Sequence, residues 1–198
     1  MTHSKTDLSS YYASFRVILL LLFCSFLMTD LNAQDKIALR LSLAANVGYA
    51  PLVTHGSKEN SGIVAGFYGE LEYGKIIGRL QYTTPLLTTF NEDNNLDGGT
   101  AYHGALGYRL DLSDQFFVGL LVSGGATVVQ YNNGFNGSSG DTFTNVSPQV
   151  GVIIAPAYQI SKLLSLQAGL RYYKGFEAGD RGQASDLADI SVGIRVSF

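Results

Sequence analysis

Apolar residues recur at every second position in eight separate stretches of this 198-residue sequence. This is the period of a β-strand, whose successive side chains point to opposite faces, and no stretch with a helical period competes with it. The composition agrees, because 23 Gly, 12 Tyr and 11 Phe against 4 Pro suit aromatic strands broken by glycine. The pattern predicts an all-β fold with strands within residues 37–49, 63–73, 79–83, 102–112, 116–122, 146–158, 164–176 and 190–198.

The connections between these stretches alternate between long and short. Tight turns are predicted at Gly74-Lys75, Ser113-Asp114 and Ser161-Lys162, and long loops at residues 51–61, 85–98, 132–142 and 177–185. Strands of about ten residues that are tilted by about 40° match the apolar height of an outer membrane. With all long loops at one rim, we expect an all-β, eight-stranded antiparallel up-and-down transmembrane β-barrel.

The first 33 residues have the layout of a secretory signal peptide. Lys5 and Arg16 precede an apolar run of 12 residues, 17–28, and a cleavage site is predicted before Gln34. The run is shorter than the roughly 20 residues of a membrane-spanning helix. A membrane anchor and a lipid-modified Cys24 are the alternatives. We expect residues 34–198 to form the barrel domain after export, with no cysteine to stabilise it.

The face opposite the apolar one carries the charges of the predicted strands. Arginine dominates there and lysine falls within a strand only at Lys174, although a strand face in water usually carries Lys and Glu. Glycine lies between the larger polar residues, as the narrow interior of a small barrel requires. Apolar side chains facing outward and polar ones facing inward are typical of a membrane barrel. We predict an interior charge network of Arg40, Glu70, Glu72, Arg79, Arg109, Asp111, Arg171 and Arg195.

Aromatic residues fall mostly near the ends of the predicted strands, where aromatic rings mark the two interfaces of a membrane. The alternative is that they form the core of a soluble periplasmic ligand-binding β-barrel. The residues concerned are Tyr49, Tyr73, Tyr82, Tyr102, Tyr108, Phe116, Tyr158, Tyr172, Phe176 and Phe198.

Few residues indicate chemistry. His55, Ser57 and Glu59 lie close together in the first long loop, which leaves a lipid-modifying barrel enzyme as an alternative. The motifs that surround such sets in those enzymes are missing, so we expect no enzyme activity. His103 is predicted to be a hydrogen-bonded spacer in the upper interior.

The second long loop contains half of a calcium-binding pattern. Asp93, Asn95 and Asp97 stand at alternate positions before a glycine, but position twelve is Gly104 instead of the expected Glu. We expect an ordinary acidic turn and no cofactor, with a weak Ca²⁺ site as the alternative. The polar segment 132–140 either binds a partner or is simply solvated.

From residue 36 to residue 198, the chain resembles the small OmpA/OmpX-type outer-membrane β-barrel domains of Gram-negative bacteria. The most specific element is the ending Ile190-Ser191-Val192-Gly193-Ile194-Arg195-Val196-Ser197-Phe198, which is similar to their C-terminal assembly signal. The resemblance implies a place in the bacterial outer membrane, with outer-membrane lipid as a partner. It also implies that the outer-membrane assembly machinery reads Phe198.

Net charge and architecture decide between the remaining function classes. A net charge of -3 without a run of Lys or Arg excludes a nucleic-acid-binding protein. We expect a monomeric barrel with a structural or surface-interaction role, whose long loops can reach a surface or envelope protein partner. A narrow pore for small solutes or ions is the alternative.

Overall fold

The computed structural model describes residues 39–55, 58–88, 96–132, 142–178 and 183–198. These residues form one closed barrel of eight antiparallel strands in chain order, in which β1 also pairs with β8. The architecture predicted from the sequence is therefore confirmed. The strands are β1 Leu39–His55, β2 Lys58–Tyr73, β3 Ile76–Thr88, β4 Leu96–Asp111, β5 Phe116–Asn132, β6 Thr142–Gln159, β7 Leu164–Gly175 and β8 Leu187–Ser197.

Three tight turns lie at one end of the barrel, which we call the short-turn rim, and the opposite end is the long-loop rim. Gly74 has a φ of 61°, a left-handed conformation that favours glycine. The hydroxyls of Ser113 and Ser161 accept hydrogen bonds from the backbone N–H groups of Phe116 (3.0 Å) and Leu164 (3.1 Å). The local sequence thus explains each tight turn.

Two faces follow from the alternation along each strand. On β7, buried and more exposed residues alternate from Leu164 to Gly175. Outward-facing Leu106 is 66% exposed, whereas inward-facing Arg195 is 1% exposed. Because the barrel is closed, the buried positions face its interior. The structure therefore has the orientation that the sequence predicted, with apolar rows outside and charges inside.

Several strands extend further toward the long-loop rim than the sequence predicted. The predicted loop 51–61 is mostly strand, since β1 continues to His55 and β2 begins at Lys58, and β3 likewise continues through Pro85. The two predicted loops began at these prolines. Pro51 lies within a register irregularity of β1, and Pro85 lies beyond the last pairing of β3 with β4 and opposite Val64 of β2 at a second irregularity, which are positions where strands tolerate proline.

Within the described ranges, no helix has the length and hydropathy needed to cross a membrane.

Glycine is required at inward positions where the backbone and side chains of the neighbouring strand leave no room for a Cβ. A Cβ at Gly125 would lie 2.0 Å from the carbonyl oxygen of Tyr102 and 2.7 Å from Cδ2 of His103. A Cβ at the adjacent Gly124, which faces outward, would meet nothing nearer than the carbonyl oxygen of Gln149 at 4.0 Å. Neighbouring glycines in one strand thus differ in the space around them.

We predict that Gly125→Ala lowers the free energy of unfolding by about 1–3 kcal/mol, because the backbone of β4 must move. The matched variant Gly124→Ala should fold as well as the wild type. Urea unfolding of the refolded barrel in detergent measures both. Equal stability of the two variants would contradict the inward orientation of Gly125.

Candidate functional site

A cluster of four charged side chains lies in the interior toward the short-turn rim. Glu70 and Glu72 on β2 face Arg79 on β3 and Arg195 on β8, and each is at most 5% exposed. Arg79 donates to Glu70 Oε2 through Nη2 (2.6 Å) and Nε (2.9 Å). Arg195 Nη2 donates to Glu72 Oε1 and lies 3.4 Å from Glu70 Oε1. We call these four residues the lower network.

Arg109 extends the lower network to the rim. Its Nη1 lies 3.1 Å from Glu72 Oε2, and its Nε donates to Asp111 Oδ1 at 2.6 Å. Arg40, which the sequence placed in the network, instead donates to the carbonyl oxygen of Lys162 at 2.7 Å. Among the described residues, no carboxylate lies within ion-pair distance of Arg40. This arginine lies near the start of β1, where the interior opens at the short-turn rim and a turn carbonyl is within reach.

Aromatic faces support the guanidinium groups. The Cζ of Arg79 lies 4.1 Å from the ring centroid of Tyr68, and the Cζ of Arg109 lies 3.8 Å from that of Phe117. A planar guanidinium can stack on a ring while its edge donates to a carboxylate, which a lysine ammonium cannot do as well. This contact explains the predominance of arginine in the interior.

A second ion pair, between Arg171 and Asp189, lies apart from the lower network. Arg171 Nε donates to Asp189 Oδ1 at 2.7 Å, and the two residues are 4% and 2% exposed. The predicted interior charge network included Arg171 but not Asp189, because the predicted eighth strand began at residue 190. Extending the alternation of Arg195, Gly193 and Ser191 by one more inward position would have found it.

Above this pair, His103 lies in the upper interior, with its ring stacked on Tyr173 at a centroid distance of 3.9 Å. His103 Nε2 lies 2.9 Å from Gln149 Oε1, and Gln149 Nε2 donates to the carbonyl oxygen of Ser185. The backbone N–H of Ser185 donates to Ser147 Oγ at 2.9 Å. These contacts tie the segment 183–186 to the inner face of β6.

Part of the interior is apolar, which the predicted charge network did not anticipate. Every strand contributes at least one buried residue to a single apolar cluster, so the cluster is not confined to one side of the barrel. A sign of it in the sequence is the segment 116–122, which contains only apolar residues and one glycine. The members of the cluster are Ala50, Val64, Ile77, Ala105, Leu121, Ile153, Ala155, Tyr173 and Leu187.

The outer surface is an apolar belt between two aromatic rows. The ten-residue step from Leu39 to Tyr49 on β1 corresponds to a height of about 25 Å at a strand tilt of about 40°. Below the upper row, the described outward positions of the strands carry no charged side chain, and Lys174 lies within that row, between Tyr172 and Phe176. The lower row is Tyr73, Tyr108, Phe116, Tyr158 and Phe198, and the upper row is Tyr49, Phe67, Tyr82, Tyr102, Tyr172 and Phe176.

Several sequence predictions lie outside the described residues. These are the signal peptide with Cys24, residues Ser57, Asp93 and Asn95, and the segment 133–141. The strands include His55, Glu59 and Asp97, but only their backbone is described. Within the described part of the chain, no group of three or more His, Cys, Asp and Glu side chains can hold a metal ion. The Ca²⁺ site stays a prediction.

Comparison with known structures places this fold among the small outer-membrane β-barrels, the class to which the sequence showed a resemblance. Neisserial surface protein A has a TM-score of 0.67 and 14% identity, covering 81% of this chain and 99% of that one. A major outer membrane protein from Thermus thermophilus has a TM-score of 0.56 and 15% identity, covering 81% and 100%. Ail, the attachment invasion locus protein of Yersinia pestis, has a TM-score of 0.51 and 12% identity, covering 81% and 98%.

No family model and no curated protein sequence matches the chain. At such low identity, the likeness to the solved structures concerns the fold alone.

We predict that Glu72→Gln lowers the free energy of unfolding by about 3 kcal/mol, because it leaves buried guanidinium charge without its partner. The control is Asp111→Asn, which also removes a carboxylate that pairs with Arg109. Asp111 has a side chain that is 41% exposed, so its loss should cost less than about 1 kcal/mol. Urea unfolding in detergent compares the two variants, and similar costs would show that the lower network is not a buried charge cluster.

Proposed function

We propose that this chain is an integral β-barrel of the bacterial outer membrane, with a non-enzymatic role that is structural or serves interaction at the cell surface. The apolar belt carries the proposal. Soluble monomers rarely expose contiguous apolar patches larger than a few hundred Å². Here large apolar side chains face outward on every strand between the aromatic rows, including Leu80, Leu106, Val122 and Val192, each at least 62% exposed.

The closed backbone hydrogen bonding and the inward charges also suit a lipid environment. In a closed barrel the strands satisfy one another's hydrogen bonds, which lipid cannot do for an open sheet edge. The charged side chains that would be costly in lipid are turned inward and paired, as in the pair of Arg79 and Glu70. Both features support a membrane location over a soluble periplasmic barrel.

Two observations favour a structural or interaction role over catalysis. The interior carboxylates of Glu70, Glu72 and Asp189 are buried and held by arginines, which leaves them poorly placed to meet a substrate. Of the similar structures, one is named a surface protein and one an attachment invasion locus protein. In this proposal the belt anchors the barrel, the interior contacts stabilise it, and the long-loop rim presents the surface that a partner meets.

The C-terminal residue is positioned for the assembly role that the resemblance implies. Phe198 follows the end of β8, is 68% exposed, and belongs to the lower aromatic row. Its backbone N–H donates to the carbonyl oxygen of Leu41 at 2.8 Å, so the terminus also closes the seam between β8 and β1. We infer that the outer-membrane assembly machinery reads this exposed ring before the seam closes.

Membrane fractionation of the full chain tests the location directly. We expect the barrel to leave the membrane only with detergent and to migrate differently on SDS gels before and after boiling. Recovery of the folded protein in buffer without detergent would overturn the proposal.

A matched pair of leucines separates a lipid-facing belt from an ordinary exposed surface. Leu106 lies within the belt and Leu112 lies in a tight turn, and they are 66% and 64% exposed. We predict that Leu106→Arg lowers the free energy of unfolding in lipid vesicles by about 2–4 kcal/mol, and that Leu112→Arg changes it by at most about 1 kcal/mol. In a soluble barrel both substitutions would be tolerated alike, so equal small effects would count against the belt.

The alternative function is a narrow pore for small solutes or ions. The buried polar side chains of the interior favour it, but Arg195 and Tyr173 reach across a bore that eight strands leave just wide enough for side chains. We therefore predict no steady conductance from the wild type in planar lipid bilayers. Single-channel currents that disappear when Glu70 and Glu72 are both replaced by Gln would instead assign the pore function.

A further inference from the structure

A small cavity lies in the interior between the lower network and the pair of Arg171 and Asp189. It is bounded by β1, β7 and β8, with Tyr68 of β2 and Arg79 of β3 on the opposite side. The small residues Ala44, Gly169 and Gly193 leave this space, of which about 10 Å³ is open to water. That is about the volume that one water molecule needs.

Three polar atoms of residues that line this cavity are buried and have no hydrogen-bond partner among the described residues. They are Asn46 Oδ1, Gln167 Oε1 and Tyr68 Oη. Arg171, which also lines the cavity, has its Nη2 at 2.5 Å from Asp189 Oδ1, and this nitrogen carries a second N–H. Buried polar groups without a partner are uncommon in folded proteins, and here three of them belong to residues that line one cavity.

We propose that this cavity is a binding site for one ordered water molecule. The two amide oxygens accept hydrogen bonds, and the tyrosine hydroxyl and the second N–H of Arg171 Nη2 donate them. A water molecule donates two and accepts two, so it matches this set of groups. It joins Asn46 of β1 and Tyr68 of β2 to Gln167 and Arg171 of β7.

The charges select a neutral occupant over an ion. The two guanidinium groups at the cavity are already paired, Arg79 with Glu70 and Arg171 with Asp189. An added chloride or metal ion would bring an unpaired charge into a buried site, where charges are stable only when paired. Water completes the hydrogen bonds without disturbing either ion pair.

The direction in which Tyr68→Phe shifts the unfolding midpoint of the barrel tests the site. Tyr68→Phe keeps the ring against which the Arg79 guanidinium lies at 4.1 Å, and removes only the hydroxyl. If the hydroxyl donates to a bound water, its loss lowers the unfolding midpoint of the barrel, by about 3 °C for one hydrogen bond. If the hydroxyl has no partner, removing it relieves an unsatisfied buried group and raises the midpoint.

Radiolytic hydroxyl-radical labelling gives an independent readout on the unmodified chain. Tyr68 and Tyr173 are both inward and buried, at 4% and 0% exposed, but the hydroxyl of Tyr173 already accepts from Gln81 Nε2 at 3.3 Å. Radicals generated from a bound water label the residue beside it, so we expect Tyr68 to be labelled several-fold faster than Tyr173. Labelling of Tyr68 no faster than Tyr173, or a raised midpoint for Tyr68→Phe, would overturn the proposal.

Discussion

The pairing of β1 with β8 is the constraint on which the rest of the structure depends. Closing the sheet after eight strands confines every second side chain to a narrow interior and turns every other one outward. Large inward groups then need small neighbours, which is why Gly125 stands where the ring of His103 passes. Charged inward groups need partners, because water is excluded and an unpaired charge would be costly.

Arginine satisfies these requirements better than lysine in so small a space. The Arg109 guanidinium donates to two carboxylates while it lies against the ring of Phe117. One face of the group is thus covered by an aromatic ring and its edge by oxygen atoms. The Arg79 guanidinium is held in the same way, between the ring of Tyr68 and the carboxylate of Glu70. This arrangement accounts for stability without requiring a continuous path through the bore.

Alternation along single strands predicted the faces of the barrel because side-chain direction is a local property of a strand. Partners across the interior were harder to predict, since they depend on the register and tilt of strands that are not adjacent. The predicted charge network included Arg171 but not its partner, Asp189 on β8. Some strand ends were also predicted wrongly, because the predicted loops began at Pro51 and Pro85, whereas both prolines lie within strands, at irregularities of the pairing.

The strands end at different heights at the long-loop rim. β7 ends at Gly175 and β8 begins at Leu187, whereas β6 and β1 continue beyond them. The segment 183–186 occupies this gap, bonded to Asn145 of β6 and, through Asp186, to Thr54 of β1. The segment covers part of the interior at this rim, and the lower network crosses the interior nearer the other rim. In the proposed interaction role, a macromolecule would therefore meet the rim itself and not the interior.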